Sequence, residues 1–236
     1  MGNWQPTAEF FEALIQADTK NSDYSHPYPF YLAHPLQDEP DLLGDISQWL
    51  AEWKWDGIRG QIIKRHNQIF IWSRGEELVT ERYPELIVAA NRLPDGTVLD
   101  GEILCWKNNK VQPFSLLQQR IGRKTASKKM LSDLPVILMA YDLLELDNKD
   151  TRSLPFIKRR TLLADLLATI NSNNVEEDGW QQKLLLSPNL ETTSWIDLKH
   201  KRETARQLNV EGIMLKRLNS TYKVGRQTRR LVEVES

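Results

Sequence analysis

The residues with the clearest chemical potential lie in segment 52–59, which reads EWKWDGIR. This segment places Lys54 among acids, a glycine and an arginine, with a tryptophan on either side. A lysine on a strand is most often a solvated salt-bridge partner. It can instead act as a covalent nucleophile if its amine is neutral, which requires burial or nearby cations to depress a pKa of about 10.4. The rest of the chain has to decide between these two interpretations.

Strands are predicted to position this lysine. Runs 58–64 and 69–73 predict a β-hairpin, which would place Lys54 at the start of a β-meander. A third strand is predicted over 98–106, with Asp100 and Glu102 in its interior. Acids in a strand that is otherwise apolar are costly unless they face a site. The pattern therefore indicates a polar site next to this strand.

The remaining pattern predicts one domain in three parts. Residues 1–50 are predicted to form an N-terminal helix over 6–17 and a proline-rich extended wrap, residues 51–226 a catalytic core, and residues 227–236 a tail. Further strands are predicted at 136–140, 184–186 and 212–216, and further helices at 81–93, 154–170 and from about 194 to 208.

Composition limits the class of protein. The chain has 236 residues, 40% of them hydrophobic, which is enough for one substantial core. The net charge of −1 means that any basic surface must be local. A single cysteine excludes an intramolecular disulfide, and the four histidines lack the spacing of metal ligands. Without an apolar run long enough to span a bilayer, or a signal peptide, the expectation is a soluble cytoplasmic protein with no membrane contact. A monomer is also expected.

One local basic surface is predicted in segment 113–130. It begins apolar and then carries Arg120, Arg123 and Lys124 with no acid among them. A solvated helix face and a nucleic-acid contact explain such a run equally well from the residues alone.

Four segments, in their order along the chain, resemble the adenylation (nucleotidyltransferase) domain of bacterial-type, ATP-dependent DNA ligases. Segment 54–59, KWDGIR, fits the K-x-D-G-x-R signature of that superfamily. The segments DGE at 100–102, AYD at 140–142 and EGIMLK at 211–216 follow in the family's order. The resemblance covers nearly the whole chain. It implies an α+β, ATP-grasp-like fold of two antiparallel sheets with flanking helices and the nucleotide between the sheets.

The resemblance implies covalent catalysis with ATP and Mg²⁺. Lys54 would attack the α-phosphorus to give lysyl-AMP, and the AMP would pass to the 5′-phosphate of nicked double-stranded DNA in the complete enzyme. Glu52 would accept a hydrogen bond from the adenine amino group, and Tyr141 would stack on the base. The other implied roles are sugar or phosphate binding by Arg59, ribose or metal-water binding by Glu102, Mg²⁺ binding by Glu211, α-phosphate binding by Lys216, and DNA-phosphate contacts by Arg74, Arg120, Arg123 and Lys124.

The resemblance ends after Arg226. There the family has a tryptophan-rich strand with two lysines, whereas this chain continues QTRRLVEVES. The family's DNA-binding and OB-fold domains are not expected in it either. These departures predict slow self-adenylation and poor sealing of nicks by the chain alone.

Two alternatives remain open from the sequence. One is an RNA ligase or a capping-type nucleotidyltransferase, against which Glu52 and the segments around Arg74 and Arg120 favour adenine and DNA. The other is a non-catalytic nucleotide- or DNA-binding module. Retention of Lys54 together with Glu102 and Glu211 argues against it, because binding alone does not need all three.

Overall fold

The computed structural model describes residues 24–36, 38–123, 125–172, 182–226 and 231–235, so the helix predicted over 6–17 lies outside the described part. Short 3-10 turns lie at Pro40–Leu43, Ile46–Gln48, Thr80–Arg82 and Ala205–Leu208. The other elements, in chain order, are β1 (Tyr31–Leu32), β2 (His34–Pro35), β3 (Trp49–Trp55), β4 (Ile58–Arg65), β5 (Gln68–Ser73), α1 (Pro84–Ala90), β6 (Thr97–Lys107), β7 (Lys110–Val111), α2 (Phe114–Ile121), α3 (Lys128–Asp133), β8 (Val136–Leu146), β9 (Lys149–Asp150), α4 (Phe156–Ser172), β10 (Leu184–Leu186), α5 (Trp195–Glu203), β11 (Val210–Arg217), β12 (Gly225–Arg226) and β13 (Leu231–Glu235).

Two main sheets form the domain. A seven-stranded sheet has the order β10-β8-β6-β4-β5, with β7 added to β6 and β9 to β8. A four-stranded sheet has the order β2-β13-β11-β3. The central pairs are antiparallel, as predicted, but β10 joins β8 and β2 joins β13 in parallel. The α+β prediction with two sheets and flanking helices is therefore confirmed, with parallel pairs added at the sheet edges.

The four-stranded sheet has one apolar face because apolar residues alternate along its strands. Every second residue of β3 and β11 lies on that face and packs against α5. The alternate residues of these strands point to the opposite face. Lys54 and Glu52 belong to this second set, which is directed at the seven-stranded sheet. The packed apolar set is Trp49, Ala51, Trp53, Leu198, Ile213, Leu215, Val232 and Val234.

The strand that carries Lys54 differs from the prediction. The lysine was predicted at the start of a meander with β4 and β5, but β3 pairs with β11 in the other sheet. Residues 56 and 57 carry the chain from one sheet to the other. Alternation within a strand identifies its two faces but not its pairing partner, which is why the sequence did not show this crossing.

Two further predicted boundaries change in the structure. The strand predicted over 136–140 continues to Leu146, so that Tyr141 and Asp142 lie within β8 instead of following it. Residues 231–235, predicted as part of a tail, form β13 and pair with β11 from Gly212 to Lys216. The end of the described chain is therefore a strand of the four-stranded sheet.

The close pairing of β6 with β8 gives a stability prediction at Gly101. A Cβ atom added there would lie 2.8 Å from the Met139 carbonyl oxygen and 2.9 Å from Leu138 Cγ. We expect Gly101→Ala to lower the free energy of unfolding by about 1–3 kcal/mol through overpacking, measured by urea denaturation with tryptophan fluorescence. Gly122→Ala is the matched control, because nothing lies within 4 Å of its added Cβ. Equal stability of the two variants would contradict the prediction.

Candidate functional site

Lys54 lies beside a carboxylate that a β-bulge supplies. The register of the pairing between β11 and β3 shifts between Val210 and Gly212. Glu211 is therefore the extra residue of a β-bulge on β11. Its Oε2 lies 2.6 Å from Lys54 Nζ, and the side chains are 17% (Lys54) and 46% (Glu211) exposed. The predicted nucleophile is therefore held in an ion pair that remains accessible from the cleft.

Glu52 lies deeper in the same face and contacts two cations. It is 1% exposed, with Oε2 at 2.6 Å from Lys216 Nζ and Oε1 at 3.1 Å from Arg160 Nη1. Burial lowers the pKa of Lys216, and the Glu52 carboxylate opposes that shift. A buried carboxylate between two cations is a fixed, charged hydrogen-bond acceptor.

Arg160 was not singled out from the sequence. It projects from α4, an amphipathic helix in which two successive arginines are buried. The first of them, Arg159, binds Asp142 through Nε at 2.7 Å and Nη2 at 2.9 Å. Two buried arginines at the start of an amphipathic helix were the available signal, because such side chains are almost always paired.

Arg59 belongs to a buried polar network. Its Nη2 lies 2.8 Å from Asp100 Oδ2, and its Nη1 donates to the Tyr31 carbonyl at 2.6 Å. The Tyr222 hydroxyl donates to the same Asp100 oxygen at 2.9 Å. Burial opposes the charge on Arg59, but Asp100 and the neighbouring tyrosines raise its pKa well above the usual value. The network holds Arg59 in place and ties the N-terminal wrap to the cleft.

Tyr141 forms one wall of the cleft. Lys216 Nζ lies 4.3 Å from the centre of its ring, and the Arg59 guanidinium carbon lies at 5.8 Å. Burial raises the pKa of Tyr141 well above its usual value, so the phenol stays neutral. The structure thus brings the predicted base-stacking residue next to both Lys216 and Arg59.

Glu102 is paired in register with Arg59 across β4 and β6. Burial raises the pKa of Glu102 to about 8; Arg59 and Arg74 lower it, whereas Asp100 and Glu211 raise it further. The charge of Glu211, on the four-stranded sheet, therefore acts on Glu102 of the seven-stranded sheet.

These two carboxylates fit the predicted Mg²⁺. Within the described ranges, no group of three or more histidine, cysteine, aspartate or glutamate side chains could hold a metal ion. Magnesium needs fewer protein ligands than this, since it is usually bound by one or two carboxylates together with substrate phosphates and water. A divalent cation held by Glu102 and Glu211 would also offset the negative charge of Glu211, which adds to the effect of burial on the pKa of Glu102.

The residues predicted to contact DNA phosphates differ in their exposure. Arg74 is exposed just after β5, and its backbone N–H donates to the Arg59 carbonyl at 2.9 Å. Arg123 is exposed after α2, and Lys124 lies outside the described residues. Arg74 thus lies directly beside Arg59 of the cleft.

The environment of Arg120 contradicts its prediction as a DNA contact. It is 1% exposed and forms an ion pair with Glu85, donating from Nη2 to Oε2 at 3.1 Å. It also donates to the carbonyls of Arg82 at 2.7 Å and Leu134 at 2.9 Å. The prediction was wrong because a guanidinium enclosed in this way cannot reach a DNA phosphate.

Solved structures with the same fold identify the class of domain. The chain is similar to a mycobacterial DNA ligase D complexed with ATP and MES, with a TM-score of 0.63 and 28% identity over 87% of this chain and 59% of that one. The ligase domain of M. tuberculosis LigD gives a TM-score of 0.64 at 26% identity, with the same coverage. A Chlorella virus DNA ligase-adenylate, at 19% identity and a TM-score of 0.63, supports the fold alone. The domain has the fold of the nucleotidyltransferase domain of ligases.

The family follows from the sequence comparison. The family model described as ATP dependent DNA ligase domain matches residues 31–234, and the chain belongs to this family as its adenylation domain. A probable DNA ligase of Koribacter versatilis is 30% identical over 214 residues, and one of Opitutus terrae is 36% identical over 197. The matches cover 86% and 76% of this chain but span only 37% and 19% of those relatives. No helix in the described part of the chain is long and apolar enough to cross a membrane.

Proposed function

We propose that the chain adenylates itself on Lys54 with ATP, and that the AMP then passes to the 5′-phosphate of nicked double-stranded DNA. The observation that carries this proposal is the 2.6 Å contact between Lys54 Nζ and Glu211 Oε2 at the cleft between the sheets. In this contact the proposed nucleophile lies beside a carboxylate that can accept a proton, and the buried Glu52 is on the same strand as Lys54.

The first step requires a neutral amine. The Glu211 carboxylate stabilises the charged amine in this ion pair, so a proton must first move from Nζ to Glu211 Oε2, which lies within hydrogen-bond distance. The Nζ lone pair then forms a bond to the α-phosphorus, and the bond to the bridging oxygen breaks as pyrophosphate leaves. Mg²⁺ held by Glu102 and Glu211 would offset the negative charge of the phosphates.

The walls of the cleft supply the nucleotide contacts. Tyr141 offers a neutral ring for stacking on adenine, and Glu52 offers an acceptor for its amino group. Arg59, beside that ring, binds the sugar or a phosphate, and Lys216 binds the α-phosphate. Both cations lie within 6 Å of the ring centre, at 5.8 and 4.3 Å, so they are close enough to serve one bound nucleotide.

Nicked duplex DNA is the proposed partner in the second step. Arg74 and Arg123 are exposed cations that can bind phosphates of its backbone, with Lys124 as a further contact. In that step an oxygen of the 5′-phosphate attacks the phosphorus of lysyl-AMP, and the bond to Nζ breaks as Nζ takes a proton back from Glu211. The proposal is for a monomer that acts in the cytoplasm.

Intact mass after incubation with ATP and Mg²⁺ tests the proposal. We expect the wild-type chain to gain the mass of one AMP. Lys54→Ala should gain none because it has no amine, and Lys54→Arg should gain none because guanidinium stays protonated. An adduct that persists in Lys54→Ala would mean that another residue is the nucleophile. No adduct in any of these proteins, together with tight DNA binding, would support a non-catalytic module instead. If GTP competed with ATP for labelling of the chain, a capping-type enzyme would be favoured.

A further inference from the structure

One buried acceptor and one buried donor in the cleft have no hydrogen-bond partner among the described residues. They are Glu52 Oε1 and Arg160 Nη1, which lie 3.1 Å apart in an ion pair without hydrogen-bond geometry. Both residues are at least nine-tenths buried, at 1% and 7% exposure. Unsatisfied atoms of this kind are rare in interiors, since each forfeits its hydrogen bonds to water.

The rest of both side chains is fixed. Glu52 Oε2 is held by Lys216 Nζ at 2.6 Å, and Arg160 Nη2 donates to the carbonyl of Ser187. The segment that contains Ser187 is attached to both sheets, because the Ser187 N–H donates to Ala140 O at 2.8 Å and the Leu190 N–H donates to Ala51 O at 2.8 Å. Oε1 and Nη1 are therefore presented as a rigid acceptor and donor pair.

This pair lies next to the ring proposed to stack on the base. Lys216 Nζ is 2.6 Å from Glu52 Oε2 and 4.3 Å from the centre of the Tyr141 ring. A planar base lying on this ring would thus have one edge directed at Glu52 and Arg160.

We propose that Glu52 and Arg160 together read the Watson–Crick edge of adenine, and that Arg160 determines specificity at N1. Glu52 Oε1 accepts from the N6 amino group, and Arg160 Nη1 donates to N1, which neighbours N6 on the base. This inference rests on the proposed function and adds to it the residue that recognises the second atom of the base.

The same pair excludes guanine. Guanine places the O6 acceptor where adenine has its amino group and an N1–H donor where adenine has an acceptor. O6 would face the Glu52 carboxylate and N1–H would face an Arg160 N–H, so both contacts become repulsive. Discrimination by two mismatched buried groups is stronger than by one attractive contact alone.

Binding of AMP and 1-deaza-AMP by the wild-type chain tests the role of N1. In 1-deaza-AMP a C–H group replaces N1 while the amino group stays, and neither monophosphate can adenylate the lysine. We expect isothermal titration to show AMP binding roughly tenfold or more tighter, since a hydrogen bond from a charged donor is lost. Equal affinities for the two nucleotides would overturn the inference. Absence of AMP binding, together with absence of an ATP adduct, would overturn the proposed function itself.

Variants separate recognition of N1 from a structural role. In Arg160→Met we expect AMP and 1-deaza-AMP to bind equally. If this variant does not fold, the comparison of the two nucleotides on the wild-type chain still decides the role of N1. Arg159→Met is the control, because Arg159 is a buried arginine of the same helix that binds Asp142. We expect it to retain the preference for AMP. Weakening of both nucleotides by the same factor in Arg160→Met would show that Arg160 is only structural, and would overturn the inference.

Discussion

Arg120→Met is expected to lower the free energy of unfolding by about 3–5 kcal/mol. The substitution leaves the Glu85 carboxylate buried, at 2% exposure, without its charged partner. It also removes the donors that bind the carbonyls of Arg82 and Leu134. Removing one member of a buried ion pair costs far more than the pair itself contributes, because the remaining charge is not solvated.

Urea denaturation with tryptophan fluorescence measures this effect, with Arg123→Met as the matched control. Arg123 is an exposed arginine that follows the same helix, and its replacement should change stability by no more than about 0.5 kcal/mol. The double variant Glu85→Leu/Arg120→Met should recover much of the lost stability, since it removes both charges. Normal stability of Arg120→Met combined with weakened DNA binding would restore the original prediction that Arg120 contacts DNA.

The Arg120 case shows the limit of reading charge from sequence. Arg120, Arg123 and Lys124 follow one another without an acid among them, and this local spacing predicts one basic surface. The acid that neutralises Arg120 is Glu85, which is 35 positions away in sequence. A partner so distant in sequence becomes visible only when the fold brings α1 and α2 together, and then Arg120 and Arg123 have opposite environments.

The strands could be predicted where residues close together in sequence determine them. The hairpin of β4 and β5 was predicted from two β-rich runs and a polar turn, and it pairs from Gly60 to Ser73 as expected. The acids at 100 and 102 were expected to face a site because they interrupt an apolar strand. Glu102 does lie opposite Arg59, which is consistent with that expectation.

The site depends on pairing between distant strands, which the alternation of residues does not encode. Lys54 meets Glu211 because β3 pairs with β11, more than 150 residues later, and because a bulge supplies the extra residue. Glu52 meets Arg160 because α4 packs on β8 of the seven-stranded sheet, and the segment around Ser187, which binds Arg160, is hydrogen-bonded to both sheets. The order of the motifs predicted which residues matter, whereas their mutual contacts required the structure.

The two sheets contribute different parts of the proposed chemistry. The four-stranded sheet carries the nucleophile and the buried carboxylate, through Lys54 and Glu52. The seven-stranded sheet carries the stacking ring and the second metal carboxylate, through Tyr141 and Glu102. Glu211 is the residue of the first sheet whose charge is felt by Glu102 of the second. A substitution there should therefore affect the nucleophile and the metal together.

Glu211→Gln is expected to slow formation of lysyl-AMP by a factor on the order of 10² or more, measured by intact mass over a time course. The amide keeps the shape of the side chain but cannot accept the proton of Lys54, and it is a weaker ligand for Mg²⁺. Glu203→Gln is the matched control, because Glu203 is an exposed glutamate on α5. We expect it to leave the rate unchanged.

Raising the Mg²⁺ concentration separates the two roles of Glu211. A site with only a weakened metal ligand should regain its full rate at saturating Mg²⁺, whereas a site that has also lost the proton acceptor should remain slow. We expect the second result, because Glu211 Oε2 lies 2.6 Å from Lys54 Nζ, close enough for direct proton transfer. Full recovery would assign Glu211 to the metal alone. A rate equal to that of the wild type at every Mg²⁺ concentration would remove Glu211 from the reaction, and with it the contact on which the proposed adenylation of Lys54 rests.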